Sequence, residues 1–236
     1  MKFGVAQIAL DNDINLNIDK IHSYTSEAAR AKADVLCFPE CSLTGYRRDF
    51  HEIDRNEILK GLDVLQEIAA ENGLTIIVGT PYFEAGKPYN AALVMSANDR
   101  FKYFKNNLTD FDKQYFAKGQ DILIFEVKGI KCGVIICRDQ NDPLLARRYA
   151  QGGIKVLFLP SAHYYLPSEA HLKLDKNRAL PIARAVENNI FVVKANAIGS
   201  QGDYISLGHS MIISPEGLII CEADKAAEGI LYHEVG

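Results

Sequence analysis

The 236-residue sequence lacks an excess of positive charge and lacks any long hydrophobic run. Lysine and arginine number 26 against 30 acidic residues, which gives a net charge of −4. Such a balance disfavours a surface that binds nucleic acid or an acidic membrane. The apolar N-terminal stretch ends at Asp11, far short of a membrane span, with one lysine and no plausible signal-peptide cleavage site. We therefore expect a soluble, cytoplasmic protein with no nucleic-acid or membrane partner.

The sequence also lacks the cysteine patterns of disulfide-bonded or metal-binding domains. Its five cysteines are an odd number in a fairly long chain, which favours reduced thiols. Neither Cys-x-x-Cys nor His-Glu-x-x-His is present, and a P-loop and Gly-x-Gly-x-x-Gly are missing as well. We therefore expect no metal ion and no nucleotide cofactor. The arginine pairs Arg47-Arg48 and Arg147-Arg148 are interpreted as solvated surface charges.

What is present is typical of one globular domain over residues 1–236. The composition is 48% hydrophobic and 24% charged, and no low-complexity tract or linker interrupts it. Strand-like runs, rich in β-branched residues and bounded by Gly, Pro, Asn or Asp, recur along the chain. These runs are Lys2–Ala9, Ala33–Phe38, Leu74–Phe83, Tyr89–Ser96, Arg100–Lys105, Ile122–Val127, Gly133–Ile136, Lys155–Pro160, Ile190–Ala195, Gly208–Ile213 and Gly229–His233.

Helical stretches alternate with some of these runs. Apolar residues recur at helical spacing over residues 14–28 and 58–68, and further helices are predicted near Pro143–Gln151 and within Glu169–Asn188. The mixture of β-α-β and hairpin connections favours an α/β fold in which helices cover two mixed sheets. Periodicity alone does not distinguish that fold from one large mixed sheet.

Three reactive side chains each stand where a predicted strand ends. Cys137 closes an apolar run, and the free N–H groups of a helix start after it would favour a thiolate and an oxyanion. Glu40 follows a buried strand and a proline, where desolvation raises a carboxyl pKa towards that of a general base. Lys105 ends a third run. Taken singly, these residues are more typical of a buried thiol, a turn glutamate and a solvated lysine than of catalytic groups.

The three residues are more informative together, because ligands bind at the carboxyl ends of strands in α/β sheets. A nucleophile, a carboxylate base and a cation that converge there suffice for acyl transfer. The pattern therefore predicts Glu40, Lys105 and Cys137 as catalytic residues.

The segments around these residues resemble the nitrilase, or carbon–nitrogen hydrolase, superfamily. The glutamate, lysine and cysteine segments are Pro39–Tyr46, Lys105–Leu108 with Tyr115-Phe116 and Gly119, and Gly133–Asp139. The likeness continues through Leu159–Ala162, Arg184–Asn188 and Gly208–Gly217, so it spans nearly the whole chain in order.

This resemblance implies a four-layer α-β-β-α sandwich, usually paired into homodimers or larger homo-oligomers, that hydrolyses non-peptide carbon–nitrogen bonds without a metal or organic cofactor. Carried over, Glu40 would take the proton of Cys137, and the thiolate would attack an amide carbonyl to give a thioester. Lys105 and the backbone N–H of Arg138 would stabilise the oxyanion. Tyr46, Arg138 and His163 are expected to bind the substrate.

Three departures from the family pattern bear on the site and on the assembly. Many members have a second glutamate four residues before the aligned Phe116, and this chain has Asp112 there. The residue after the nucleophile is often aromatic or His and is here Arg138, while the chain stops shortly after Tyr232-His233, without the C-terminal tail that many members use in assembly. We expect Asp112 to keep the role of the second glutamate.

Other interpretations remain open at this level. A Cys–His hydrolase would use His163 or His209 as the base, and a binding protein on the same fold would be catalytically silent. Within the family, a small amide or carbamoyl compound that releases ammonia or amine is the preferred substrate, and a small nitrile is the alternative. The Cys137-x-Asp139-Gln140 string weakly resembles N-carbamoyl amine amidases.

Overall fold

A computed structural model describes residues 1–225 and 227–235 and arranges most of their strands in two six-stranded sheets. The strands in chain order are β1 (Lys2–Gln7), β2 (Val35–Cys37), β3 (Thr75–Glu84), β4 (Lys87–Met95), β5 (Arg100–Phe104), β6 (Ile124–Val127), β7 (Ile130–Val134), β8 (Val156–Ser161), β9 (Phe191–Asn196), β10 (Ile198–Gln201), β11 (Tyr204–Leu207), β12 (Met211–Ile213), β13 (Ile219–Glu222) and β14 (Gly229–Glu234). The first sheet has the order β14-β1-β2-β3-β4-β5 and the second the order β13-β12-β9-β8-β7-β6. Both sheets are mixed, and β10 and β11 pair separately as a hairpin.

Helices begin and end where the sequence supplies caps. They are α1 (Ile14–Arg30), α2 (Arg55–Asn72), α3 (Pro143–Gln151), α4 (Pro167–Ala170) and α5 (Leu174–Asn188). The side chain of Asp13 accepts from the first free N–H groups of α1, and Asp142 does the same for α3, which then starts with a proline. Gly73 ends α2 in the left-handed conformation, with φ of 65°.

Alternation along β2 shows how the layers stack. Val35 and Cys37 face a core that lies between the two sheets, together with Phe158 and Val193 from the second sheet. Leu36 points to the opposite face, into a core with Leu62 and other residues of α1 and α2. Helices α3 and α5 cover the outer face of the second sheet. The result is the four-layer α-β-β-α sandwich that the resemblance implies, so the single large sheet is ruled out.

A proline within α5 is accommodated by a buried lysine of the second sheet. Pro181 has no N–H, so the carbonyl of Asn177 loses its partner one turn earlier in the helix. The Nζ of Lys194 donates to that carbonyl at 3.0 Å from β9. Burial lowers the pKa of Lys194 to about 8. The contact fixes α5 to the sheet, and α5 in turn supports the candidate site.

The hairpin β10–β11 and strand β13 were not predicted. The hairpin segment, residues 198–207, contains Gly, Ser, Gln and Asp, which is the composition of a loop, and β13 has only four residues. Their pairing is set by tertiary contacts: an isolated bridge joins Ala9 to Ile198, and another joins Tyr165 to Ile205. No helix in the described ranges combines the length and apolarity needed to cross a membrane.

Candidate active site

The predicted catalytic residues come from both sheets and meet between them. Glu40 follows β2 and Lys105 directly follows β5, both in the first sheet, whereas Cys137 follows β7 in the second. The Nζ of Lys105 lies 2.6 Å from Oε1 of Glu40, and both side chains are fully buried. The sequence therefore identified the right strand ends, but the meeting point lies between facing sheets, not along one sheet edge.

Asp112 completes a buried ion-pair network around Lys105. Its Oδ2 lies 2.8 Å from the Nζ of Lys105 and accepts from the backbone N–H of Thr109 at 2.9 Å. Its Oδ1 accepts from the hydroxyl of Tyr46 at 3.0 Å. Asp110, two residues earlier, is by contrast exposed. Asp112 begins the short turn Asp112–Gln114 and reaches the lysine although aspartate is one methylene shorter than glutamate.

The environments of the two carboxyl groups move their pKa values in opposite directions. Burial raises the pKa of Glu40, and the attraction of Lys105 only partly offsets it. Burial also acts on Asp112, but Lys105 and the hydrogen bonds from Thr109 hold its pKa below the usual range. Burial alone would lower the pKa of Lys105, yet the two carboxylates raise it well above normal. A carboxyl group with a raised pKa is suited to exchange a proton, whereas one with a lowered pKa beside a cation stays ionised.

Further contacts fix the orientation of the Glu40 carboxylate. The amide Nδ2 of Asn90 donates to Oε1 at 2.8 Å, and the backbone N–H of Ala162 donates to Oε2 at 3.0 Å. Gly79 of β3 permits this placement, since a Cβ there would lie 2.7 Å from the Cα of Glu40 and 2.3 Å from the N of Cys41. Every partner of the carboxylate is a hydrogen-bond donor.

Cys137 begins the short 3-10 turn Cys137–Asn141 and has a φ of 45°. A residue with a Cβ rarely adopts this left-handed conformation, and such strain is frequent at functional sites. Burial and the negative charge of Glu40 raise the pKa of the thiol, while Lys105 and the Ala162 N–H act against them. The resting side chain is therefore a thiol that needs a base to become a nucleophile.

Asp139 anchors the turn that carries Cys137. Its carboxylate accepts from the N–H groups of Ile136, Asn106 and Asn107 and from the hydroxyl of Tyr103, at 2.6–3.1 Å. Burial raises the pKa of Asp139 to about 6. One side chain thus ties the Cys137 turn to the segment that follows β5.

Arg184 of α5 supports the same turn from the other side, because its Nε donates to the carbonyl of Gln140 at 2.9 Å. The sequence motif of Arg184 pointed to the family, but the roles of Asn90, Asp139 and Arg184 around the site were not predicted. The only available signal was their polar character next to apolar runs.

A cleft of about 680 Å³ opens onto Cys137. Only 7% of the surface of Cys137 is exposed. Residues 46–49 with Asn12, Thr109 and Phe111 form one part of its lining, and residues 162–165 and 201–204 form another. Tyr46 and His163, two of the predicted substrate-binding residues, line the cleft. The side chain of Arg138 is exposed and does not line it, so any contact of Arg138 with substrate in this cleft falls to its backbone N–H.

The geometry around both histidines is unfavourable for a Cys–His pair. The Nε2 of His163 lies 3.3 Å from the amide of Gln140, and burial lowers the pKa of this histidine well below normal. His209 does not line the cleft, and its Nδ1 lies 3.0 Å from Glu222. A histidine with a strongly lowered pKa is a weak base. Among the described side chains, no group of three or more His, Cys, Asp or Glu residues has an arrangement that could hold a metal ion.

The arginine pair Arg47-Arg48 was interpreted as solvated surface charge, and Arg48 is indeed exposed while Arg47 is half-buried. Both side chains lie on the cleft wall, in a segment that follows the glutamate motif. Nothing in the local sequence distinguishes these arginines from the pair Arg147-Arg148 on α3.

Comparison with known proteins agrees with this geometry. The family model described as carbon-nitrogen hydrolase matches residues 2–236. The chain belongs to this family. It is therefore a hydrolase of carbon–nitrogen bonds other than peptide bonds, as the resemblance implied.

Several relatives within the carbon–nitrogen hydrolase family are named amidases, and another, from Schizosaccharomyces pombe, is named a probable nitrilase. The chain is 31% identical over 225 residues to 2-oxoglutaramate amidase of Bacillus subtilis, covering 93% of this chain and 84% of that protein. It is 28% identical over 249 residues to omega-amidase NIT2 of Mus musculus, covering 99% and 88%. A solved amidase from Nesterenkonia sp. AN1, with acrylamide added at its active-site cysteine, has the same fold, with a TM-score of 0.90 at 22% identity over 100% of this chain and 93% of that one. The chain is an amidase that acts on a small amide.

Asp112→Asn is expected to lower kcat/KM at least tenfold, which corresponds to about 1.4 kcal/mol of transition-state stabilisation. The partners of Asp112 named above are all donors, so an asparagine must turn its NH2 towards one of them, and Lys105 loses a counter-charge. Steady-state kinetics measure the loss. Asp110→Asn is the matched control, because Asp110 is exposed and contacts only Lys113 and its own turn. Equal small effects of both substitutions would show that Asp112 has no part in the reaction.

Proposed function

We propose that Cys137, Glu40 and Lys105 are the catalytic residues of this amidase and that Asp112 is their permanent counterion. The observation that carries the proposal is the buried ammonium of Lys105, which bridges Glu40 at 2.6 Å and Asp112 at 2.8 Å. These residues act electrostatically on Cys137, which has a strained backbone and lines the cleft. A nucleophile, a base and a fixed cation are the groups that acyl transfer needs.

In the first half-reaction, Glu40 takes the proton of the Cys137 thiol as the sulfur attacks the amide carbonyl. The raised pKa of Glu40 favours this transfer, because a carboxylate with a higher pKa is a stronger base. Negative charge then develops on the substrate oxygen. The ammonium of Lys105 and the backbone N–H of Arg138 are the groups proposed to stabilise it.

The first half-reaction ends when the protonated Glu40 gives its proton to the leaving nitrogen, so that ammonia departs and a Cys137 thioester remains. Glu40 then takes a proton from water as that water attacks the thioester carbonyl. When the intermediate collapses, the carboxylic acid leaves and the sulfur recovers its proton from Glu40. One carboxyl group thus acts as base and acid in turn, while Asp112 keeps Lys105 charged and in place.

The amide is favoured over the carbamoyl group and the nitrile as the bond that is cleaved. Support comes from the activities named for the relatives in Bacillus subtilis and Mus musculus, which are both amidases. Ammonia release measured across butyramide, a carbamoyl amine and butyronitrile tests the proposal. We expect turnover of butyramide and none of butyronitrile. Release of ammonia from the nitrile at a rate equal to that from the amide would contradict it.

We further propose that residues 1–236 form one domain and that the protein is a cytoplasmic homodimer. Free thiols support a reducing compartment, since all five cysteines are unpaired. Exposed apolar side chains on the outer helical layer support pairing. Leu144 of α3 is 67% exposed and Val186 of α5 is 53% exposed, and Gly217, next to the exposed Leu218, lies against Val186.

A further inference from the structure

Asp139 closes a small loop of backbone around the nucleophile. Its own N–H donates to the carbonyl of Ile136 at 2.9 Å, and its Oδ2 accepts from the N–H of Ile136, also at 2.9 Å. Cys137 and Arg138 are the two residues enclosed between these bonds, so residues 136–139 form a nucleophile loop. A residue in a sparsely populated conformation persists only where its surroundings hold it, and this loop helps to retain the φ of 45° at Cys137.

The nucleophile loop also fixes the direction of the Arg138 N–H. Within residues 1–225 and 227–235, this N–H donates to no acceptor of the protein. It is one of the two groups proposed to stabilise the oxygen of the substrate. Peptide groups are planar, so the direction of this N–H follows from the backbone that the two bonds to Ile136 hold in place.

The remaining contacts of Asp139 reach the segment that carries the second proposed oxyanion group, Lys105. Its Oδ1 accepts from the N–H groups of Asn106 and Asn107 at 3.1 and 2.6 Å, and these two residues directly follow the lysine. The hydroxyl of Tyr103, two residues before the lysine, donates to Oδ2 at 2.7 Å. One carboxylate therefore joins the nucleophile loop to the backbone on both sides of the lysine.

The carboxylate of Asp139 cannot be replaced by an amide without loss. The side chain is fully buried, and each of its oxygens accepts from two donors. Burial raises the pKa of Asp139 to about 6, so the group is ionised at neutral pH. An asparagine has one acceptor oxygen and one NH2 group, and that NH2 must face at least one backbone N–H here. Either the nucleophile loop or the lysine segment is then released.

We propose that Asp139 is a positioning residue of the oxyanion site, which holds the Arg138 N–H and the Lys105 ammonium in the mutual arrangement that the tetrahedral intermediate needs. This inference rests on the proposed function, which assigns these two groups to the substrate oxygen. Asp139 does not line the cleft, so it acts through them and not by touching the substrate. Its contribution belongs to the transition state, where the oxyanion forms, and not to binding of the amide.

Asp139→Asn is expected to lower kcat on butyramide by about 10²-fold, the usual effect of a misplaced oxyanion donor, and to change KM less than about threefold. Alkylation of Cys137 by iodoacetamide, followed by mass spectrometry, should slow far less than turnover. The sulfur displaces iodide in that reaction, and no oxyanion forms. A residue that only supports the fold would instead affect both rates alike and lower the melting temperature.

Asp142→Asn is the matched control, because it makes the same change three residues later in the chain. Asp142 also accepts two backbone N–H groups, from Leu144 and Leu145, but both bonds end on the same oxygen, Oδ1. An asparagine keeps that oxygen and is an equally good helix cap. The values of kcat and KM and the alkylation rate should therefore stay unchanged in this variant.

A second readout separates this inference from the proposed function. Butyraldehyde adds to the thiol of Cys137: sulfur bonds to the carbonyl carbon, the thiol proton moves to the oxygen, and nothing leaves. The adduct places an oxygen at the oxyanion site without cleavage of an amide. The butyraldehyde concentration that protects Cys137 from iodoacetamide should rise by about tenfold or more in Asp139→Asn and stay unchanged in Asp142→Asn.

These measurements give distinct outcomes. If no amide is hydrolysed but the difference in aldehyde protection is found, the proposed reaction fails and the positioning role stands. Equal losses of kcat and alkylation rate, or equal aldehyde protection in the two variants, would overturn the proposal. Asp139→Glu keeps the charge but moves its oxygens by one methylene, so the same pattern is expected from it if Asp139→Asn does not fold. If neither variant folds, Asp139 serves the fold itself and the proposal is overturned.

Discussion

Cys137→Ala is expected to lower kcat by on the order of 10⁴-fold or more, because the nucleophile is lost and neighbouring groups cannot replace it. The fold should persist. Cysteine and alanine both have a Cβ, so the cost of the φ of 45° is the same for both, and only the sulfur is removed. Ammonia release measures the activity, and circular dichroism with thermal unfolding measures the fold.

Cys132→Ala is the control for Cys137→Ala. Cys132 lies in β7, on the same segment, and is fully buried in the core between the sheets. Its substitution should lower the melting temperature by removing packing atoms and yet retain turnover. Substantial turnover by Cys137→Ala, with the same substrate preference as the unmodified enzyme, would refute the covalent mechanism.

Glu40→Gln is expected to lower kcat/KM by on the order of 10²–10⁴-fold, the usual contribution of a positioned base. Two effects add here. The glutamine cannot take the thiol proton, and its NH2 must face one of the donors around it, namely Lys105, Asn90 or the Ala162 N–H. Steady-state kinetics on butyramide measure the loss.

The pH profile distinguishes lost basicity from lost packing. The base must be deprotonated to act, so kcat/KM of the unmodified enzyme should fall as the pH drops through the pKa of Glu40, which burial raises above that of an ordinary glutamate. That acid limb should be missing from the residual activity of Glu40→Gln. His163→Gln and His209→Gln should each lower kcat/KM far less than Glu40→Gln does. If His163→Gln or His209→Gln abolished activity while Glu40→Gln remained active, the enzyme would be a Cys–His hydrolase.

Much of the fold was predictable because its strands have strong local signals. The predicted run Arg100–Lys105 ends where β5 ends, apart from one residue, and the predicted helix Pro143–Gln151 has the bounds of α3. Apolar runs bounded by caps and turn residues determine these elements locally. The hairpin β10–β11 was missed because its sequence has no such local signal. It supplies the cleft residues 201–204.

The central residues of the site were predictable because each lies just beyond the end of a strand, Lys105 directly after β5 and Glu40 and Cys137 a few positions after β2 and β7. Their partners were not, because the contacts join positions far apart in the chain. Asn90 lies on β4 and reaches Glu40 after β2, and Asp139 after β7 reaches Tyr103 on β5. Pairings of this kind follow from the register of the sheets, which the local pattern does not contain.

Arg48 shows most clearly what the local sequence cannot predict. Arg47 and Arg48 are adjacent and chemically identical, yet one pairs with Asp49 and the other stacks on Tyr204 from the distant hairpin. Only the folded chain distinguishes a neutralised arginine from an unpaired one.

The most direct test of the central claim is to trap the acyl-enzyme. Butyramide is mixed with the protein, the reaction is quenched in acid during turnover, and the peptides are analysed by mass spectrometry. The account predicts a butyryl thioester on the peptide that contains Cys137, cleaved by hydroxylamine and missing from Cys137→Ala. An acyl group on another cysteine, or steady turnover by Cys137→Ala with no acylated peptide, would contradict it.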